Sequence, residues 1–412
     1  MKIVLANKFY FLKGAGAEQY VFDLEHVLNT HGHTTIPFAM QQRKNHETPF
    51  NRFFVSSIET EKAQLGLEGL RGLGRMVYSF ESAKKMRALI QETHPDLCHI
   101  HNIYYQISPS ILSVLHEKGI PMVMTVHDYH LISPQYMMWS RGRVENWRNV
   151  PLWRSAIARF HKHSFLASAA AAFTFRLHER MGLYRLIDRY IAPTHFVKHR
   201  LVHAGFPAGK IQVLPFGIDA EKISPRFDDD GYILFVGRLV EEKGIWTLLR
   251  AAKEMPDISF KIVGTGPEEK KLHLAGDRLS NVEFLGFRNK DEIWDLYRGA
   301  RCVVVPSLWY EVFGLVALEA MAVGKPVVAS HIGGLPEIVS DRTTGLLFPP
   351  GNTHALVETL RRLVDYPSFA HELGVAGRER VLEDFSFERH YHGLMEVYED
   401  AMSDHWGKKR KF

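Results

Sequence analysis

The 412 residues are 46% hydrophobic and 24% charged, with 51 Lys or Arg against 46 Asp or Glu. This length exceeds what one hydrophobic core usually fills, and the composition excludes extended disorder, so two folded domains are expected. The two cysteines, Cys98 and Cys302, fall in apolar runs of opposite halves, which excludes a disulfide framework or a cysteine-based metal site.

Charge is uneven along the chain. Residues 1–215 hold 26 Lys or Arg and 15 Asp or Glu, the remainder 25 and 31, and 16 of the 23 histidines lie in the first part. A basic first half suits phosphate-bearing or membrane-surface partners, and equally a basic surface with no ligand. The opening MKIVLANKFYF is too short and polar for a secretory signal and reads as a buried strand. No run reaches the roughly 18 apolar residues of a membrane span. The expected location is cytoplasmic, with peripheral contact at an anionic cytoplasmic membrane face as the alternative to a freely diffusing protein.

Apolar runs read as strands at Lys2–Ala6, Leu97–His101, Met122–Val126, Arg189–Ala192 and Ile211–Leu214. Between the first two, Tyr20, Val21, Leu24, Val27 and Leu28 recur at helical spacing. Residues 40–75 show no clear period. Residues 131–188 are longer than an ordinary strand-to-helix connection, and Trp139, Trp147 and Trp153 alternate there with Arg141, Arg143, Arg148, Arg154 and Arg159. Two readings stay open for this stretch: an acceptor or membrane contact, or a packed lid.

The Pro-, Gly- and acid-bearing stretch 215–230 marks a boundary. The expected units are 1–215, 216–386 and a last helix beginning at Phe387 that packs back across the junction. Strands follow at Ile233–Val236, Phe260–Val263, Val282–Leu285, Cys302–Val305 and Pro326–Ala329. Helices are expected at Gly244–Lys253, Asp291–Arg298, Phe313–Ala322 and Leu356–Leu363. Strands alternating with amphipathic segments in both halves indicate an α/β protein with parallel sheets.

The segment PSLWYEVFGLVALEAMAVGKPVVAS, residues 306–330, carries Glu311 before a helix and Glu319 inside it. At helical spacing the two carboxylates face one crevice. The first-turn amides of Phe313, Gly314 and Leu315 suit phosphate oxygens, and Gly314 lets a ligand approach the backbone. A carboxylate in the apolar run VALEAMAV needs donors, and paired ribose hydroxyls would supply them to Glu319. In FVGRLVEEKG, residues 235–244, Arg238 and Lys243 follow a strand at the carboxyl end of a sheet, where two cations suit a pyrophosphate.

These two motifs resemble the retaining glycosyltransferases of family 4, whose GT-B fold sets two facing Rossmann-like domains around a central donor cleft. The resemblance extends to GGLPEIV at 333–339, Gly14-Ala15-Gly16-Ala17-Glu18 after the first strand, and TVHDYHLISP at 125–134. It implies transfer of a sugar from a nucleotide-diphosphate donor to a glycan, lipid-linked or small-molecule acceptor, without a metal cofactor. The donor diphosphate would meet Arg238, Lys243 and the Gly16 loop, and the ribose would meet Glu319. Glu311 and His127 would lie near the transferred sugar. Ala15 departs from the family's usual Gly-Gly pair, and the loop is not a Gly-x-Gly-x-x-Gly fingerprint, which argues against NAD.

His99, His101, His127 and His130 lack a carboxylate or cysteine partner of metal-site spacing, so no metal site is expected. No compact nucleic-acid-reading motif accompanies the basic half, so no nucleic acid is expected. The competing functions are a GT-B phosphorylase or nucleotide-sugar epimerase, and a noncatalytic polyanion- or membrane-binding protein.

Overall fold

The computed structural model describes residues 1–12, 16–57, 72, 74–161 and 164–409. Gly14 and Ala15 of the first glycine loop, and 58–71 and 73 of the unperiodic stretch, lie outside the described residues.

The strands in chain order are β1 (Lys2–Ala6), β2 (Thr34–Phe38), β3 (Leu97–Ile100), β4 (Met122–Thr125), β5 (Trp139–Ser140), β6 (Arg143–Val144), β7 (Arg189–Ala192) and β8 (Ile211–Val213). They continue with β9 (Tyr232–Val236), β10 (Ser259–Val263), β11 (Val282–Gly286), β12 (Ala300–Val305), β13 (Val327–Ser330) and β14 (Gly345–Phe348). Two six-stranded sheets result, ordered β2-β1-β3-β4-β7-β8 and β11-β10-β9-β12-β13-β14, and β5 and β6 form a separate antiparallel ribbon. Every neighbouring pair in the large sheets is parallel. Parallel strands need helical crossovers that cover both faces, which is why YILFV and ARCVVV are apolar almost throughout.

Each sheet is thus a Rossmann-like unit, and each has a point where the chain reverses its direction of travel. That point lies between β1 and β3 in the first sheet and between β9 and β12 in the second. Ligands of open α/β sheets bind outside the carboxyl ends of strands at such points. The helix Gly16–Thr30 follows β1, the Arg238–Lys243 loop follows β9, and the helix Leu315–Ala322 follows β12. Topology alone brings the Gly16 helix start and both C-terminal motifs to the switch points.

One core cluster joins the two units: Leu24 and Leu28 from the first helix, Phe216 from the junction, Phe313 from the loop after β12, and Leu394, Val397 and Tyr398 from the last helix. That helix runs Phe387–Lys409 and lies against the first sheet. The His390 ring bonds the Tyr20 hydroxyl at 2.9 Å and the Pro215 carbonyl at 2.7 Å, while the Tyr398 hydroxyl pairs with His99 Nδ1 at 2.8 Å. Arg189 on β7 is ion-paired to Asp404, and His405 Nδ1 lies 3.2 Å from Asp188. Where the chain crosses between units, its two passes touch, with Ile218 N–H donating to the Phe385 carbonyl at 2.8 Å.

The expected helix at Phe313 begins two residues later, at Leu315. Gly314 is its N-cap at φ 114°, a left-handed conformation that ends the preceding loop and cannot belong to a right-handed helix. Glu311 is therefore a loop residue, and helical phase does not relate it to Glu319.

Candidate active site

Glu311 is buried in the loop after β12, and three donors converge on its Oε1. Lys243 Nζ and Ser307 Oγ each donate at 2.6 Å and Trp309 Nε1 donates at 2.9 Å, while among the described residues none reaches Oε2. The loop is fixed from behind by Gly334 N–H donating to the Glu311 carbonyl at 2.7 Å. A Cβ on Gly333, at φ 62°, would stand 2.5 Å from the Glu311 nitrogen and oxygen, so those glycines serve backbone packing against the Glu311 loop. Gly244 similarly sets Lys243: its φ is 71°, and a Cβ there would lie 1.7 Å from the Pro306 carbonyl oxygen.

Lys243 therefore pairs with Glu311 and not with the adjacent Glu241 or Glu242. Arg238 is exposed, one turn of loop away, and its charge reaches Tyr136 and Glu242. Tyr136 also feels Asp128, and Tyr129 feels both Asp128 and Glu311, so the β4 loop and the two C-terminal motifs share one cleft.

Glu319 sits one helix turn beyond the N-terminus of Leu315–Ala322, half-buried, and accepts the Tyr297 hydroxyl at 2.8 Å. Burial pushes its carboxyl up to about 7, opposed by the Tyr297 bond and by Lys290. The nearby Asp23, on the first helix of the other unit, is also raised by burial. Among the described residues no acceptor pairs with the N–H of Phe313, Gly314 or Leu315. The Phe313 ring itself is buried between Phe216 and Phe385. Across the cleft, a Cβ on Gly16 would stand 2.7 Å from Leu315 Cδ1. Two helix N-termini thus meet head to head, and both present amide dipoles to the same space.

His127 follows β4 on the facing unit, half-buried against Tyr20 and Phe216, with His101 Nδ1 at 3.1 Å from its Nε2. Burial, helped by the Lys8 ammonium, pushes its imidazolium down to about 3, so His127 is neutral near pH 7. Asp128 is raised to about 6 by burial, against the opposing effect of the His130 N–H, which donates to it at 2.9 Å, and of Lys8. Among the described residues no group of three or more His, Cys, Asp or Glu is placed to hold a metal ion.

The structure thus brings Lys243 and Glu311 into direct contact and sets Gly16 against Leu315, whereas among the described residues Arg238, Glu319 and His127 make no hydrogen bond or ion pair with one another. Lys8, Tyr297, Ser307 and Trp309 went unassigned in the sequence. Ser307 and Trp309 lie inside the PSLWYE segment, but Lys8 and Tyr297 carry no local signal, since only the fold places them.

A family model described as Glycosyltransferase Family 4 matches residues 14–222, and one described as Glycosyl transferases group 1 matches residues 218–380. An uncharacterized glycosyltransferase of Methanocaldococcus jannaschii is 38% identical over 174 residues, 42% of this chain and 49% of the relative, so the match spans about half that protein's length. Alpha-maltose-1-phosphate synthase of Mycolicibacterium smegmatis is 28% identical over 321 residues, 73% of this chain and 78% of its own. Among solved structures, sucrose-phosphate synthase from Thermosynechococcus elongatus superposes with a TM-score of 0.75 at 22% identity, over 98% of this chain and 100% of that one. Anabaena HepE, solved with UDP and glucose, gives 0.64 at 20% identity, over 96% and 99%. At those identities the superpositions establish the fold: two Rossmann-like domains facing a central cleft, the GT-B architecture. With one model covering slightly more than half the chain and the other most of the rest, the chain belongs to the glycosyltransferases these models describe, Glycosyltransferase Family 4 through its first half and Glycosyl transferases group 1 through its second.

Proposed function

We propose that the protein transfers a sugar from a nucleotide-diphosphate donor to an acceptor hydroxyl with retention of anomeric configuration. The observation that carries this reading is the Lys243–Glu311 contact: two residues 68 positions apart meet at the β9/β12 switch point, beside a helix N-terminus with unpaired amides. The first unit, residues 1–215, takes the acceptor; the second, 216–386, holds the donor; and the helix from Phe387 ties them together. Glu319 accepts hydrogen bonds from the ribose hydroxyls. The diphosphate rests on Arg238, Lys243, the Gly314–Leu315 amides and the Gly16 helix start.

In the reaction, the anomeric carbon–phosphate oxygen bond breaks as the acceptor oxygen bonds to the same face of that carbon, and the acceptor proton passes to the departing diphosphate. Arg238 and Lys243 stabilise the charge that grows on the leaving group. Lys243 is held in the resting site by Glu311, and a diphosphate competes for its ammonium, freeing the Glu311 carboxylate for a sugar hydroxyl. Neutral His127 donates to or accepts from the sugar without adding a positive charge. No step requires a metal. The acceptor is a glycan, a lipid-linked glycan or a small molecule, met at the cytoplasmic membrane face through peripheral contact.

The test is product-resolved incubation of the full chain with a panel of nucleoside-diphosphate sugars and acceptors, with anomeric configuration read by NMR. Transfer with retention supports the reading. Sugar phosphate formed only with orthophosphate, or epimerised donor alone, replaces it with a phosphorylase or an epimerase, and inversion overturns the stereochemistry.

A further inference from the structure

Residues 129–178 contain one acidic side chain, Glu145, against seven Lys or Arg. The structure folds the middle of this stretch into the β5–β6 ribbon, the short helix Leu152–Ala158, and the longer helix Phe165–Met181 packed beside it. Part of the aromatic and basic content is internal. Trp147 is buried against Phe160, and Arg148 is tied to Glu179 and to the Ala204 carbonyl, so neither is available for the contact its sequence position suggests. Arg176 is held by the Val150 carbonyl.

The rest faces outward. Trp153 is 60% exposed, Ile157 57%, Leu166 54% and Phe165 48%, all on neighbouring helix ends. Arg154 stacks over the Trp153 ring at 5.1 Å, and among the described residues neither it nor Arg141 has an acidic partner. A cavity of about 440 Å³ opens between ribbon and helix, lined by Arg141, Arg143, Glu145, Trp147, Trp153 and Arg154, with Arg143 ion-paired to Glu145 and so not a free cation. Apolar side chains and unpaired cations on one face are expensive to leave in water and match one environment well, the anionic headgroup layer of a bilayer. A second copy would present the same positive face and be repelled. A nucleic acid would leave the aliphatic Ile157 and Leu166 without a stacking partner.

We infer that this face docks on anionic phospholipid, with Trp153, Ile157, Phe165 and Leu166 entering the headgroup region and the Arg141–Arg154 cavity taking lipid phosphate. This deepens the peripheral-membrane part of the proposed function and names the residues and lipid class. The ribbon also reaches the donor unit, since a Cβ on Gly142 would lie 3.4 Å from Glu241 Oε1, two residues from Lys243. Docking therefore holds the cleft mouth beside the lipid surface.

Cosedimentation of the full chain with vesicles tests this, without donor or acceptor, so that failure here leaves the transfer reading standing. Vesicles of phosphatidylcholine with phosphatidylglycerol should bind, with affinity falling at high salt, and phosphatidylcholine alone should bind weakly. Arg141→Gln/Arg154→Gln should weaken anionic-vesicle binding about 30-fold, while Arg141→Lys/Arg154→Lys should retain it. Trp153→Ser/Ile157→Ser should weaken binding to both vesicle types. Thermal melts confirm that each variant is folded, and the salt dependence of the unmodified protein provides an arm that needs no variant. Absence of binding, indifference to lipid charge, an unaltered Arg141→Gln/Arg154→Gln variant, or binding to RNA but not to vesicles would each overturn the inference.

Discussion

The Lys243–Glu311 contact and the half-buried Glu319 carboxyl are the two places where single residues decide the behaviour of the cleft. Removing Lys243 takes away the only cation, among the described residues, on the buried Glu311 carboxylate and leaves it the Ser307 and Trp309 donors, so Lys243→Ala should cost about 1–3 kcal/mol of stability as well as activity. Lys243→Met with Glu311→Gln should recover most of the stability and none of the turnover at saturating donor. Thermal melts and kinetics on both variants check this, and full activity in the double variant would remove both residues from the chemistry. For Glu319 the sign follows from a folded value near 7, above the unfolded carboxyl's 4.5. The folded state holds the extra proton between those values, so this group's contribution to stability declines as pH rises from 4.5 through 7. Glu319→Gln should therefore be more stable than the unmodified protein at pH 8, by about 1–3 kcal/mol, and no different at pH 4. Ribose hydroxyls favour the ionised carboxylate, so donor affinity should rise as pH increases through 7, and Glu319→Gln should lose both the affinity and its pH slope. Calorimetric titration across that range decides it.

Loops and helix ends show where the sequence could be read and where it could not. Central strands such as Tyr232–Val236 and Ala300–Val305 were legible because burial on both faces makes them continuous apolar runs. The edge strands β2 and β14 were not: β2 contains Pro37, tolerated only because an edge strand need not donate on its outer side, and β14 is four residues long. The Glu311 and Glu319 pair is legible as a motif but its geometry is not, since Gly314 restarts the backbone between the two carboxylates. Lys8 and Tyr297 were invisible because their roles depend on which strand ends the fold sets side by side. The glycines of these loops give a direct test. Gly244→Ala adds a methyl group to a left-handed residue against the Pro306 carbonyl, and should cost more than about 2 kcal/mol while displacing Lys243. Gly205→Ala, also at positive φ but with nothing within 4 Å, should cost less, about 1–2 kcal/mol. Denaturation midpoints that rank the two in the opposite order would contradict the packing account.

Across the whole molecule the first sheet and the last helix are joined through a cluster of neutral imidazoles. Burial lowers His99, His101 and His127, and lowers His390 to about 4, so none is charged near neutrality. The unfolded chain binds protons on these rings below about 6.5 and the folded chain does not, so stability should fall as pH drops from 6.5 towards 4. Because the rings connect the first sheet to the last helix through Tyr20 and Tyr398, acid should loosen that helix before it melts the second unit. Melting curves with one reporter on each unit should separate as the pH falls. A single coincident transition at pH 5 would count against selective weakening at the cluster.

The last helix also sets an order of manufacture. Leu394, Val397 and Tyr398 complete the packing against the first sheet, but a ribosome makes them only after all of the second unit has been synthesised. The second unit, whose entering and leaving segments touch at Ile218 and Phe385, has its own contacts in hand when Phe385 emerges. The half of the chain born first is therefore the half finished last. During that wait, Tyr20, His99 and the faces of β4 and β7 that the helix will cover are open to solvent and to whatever binds nascent apolar surface.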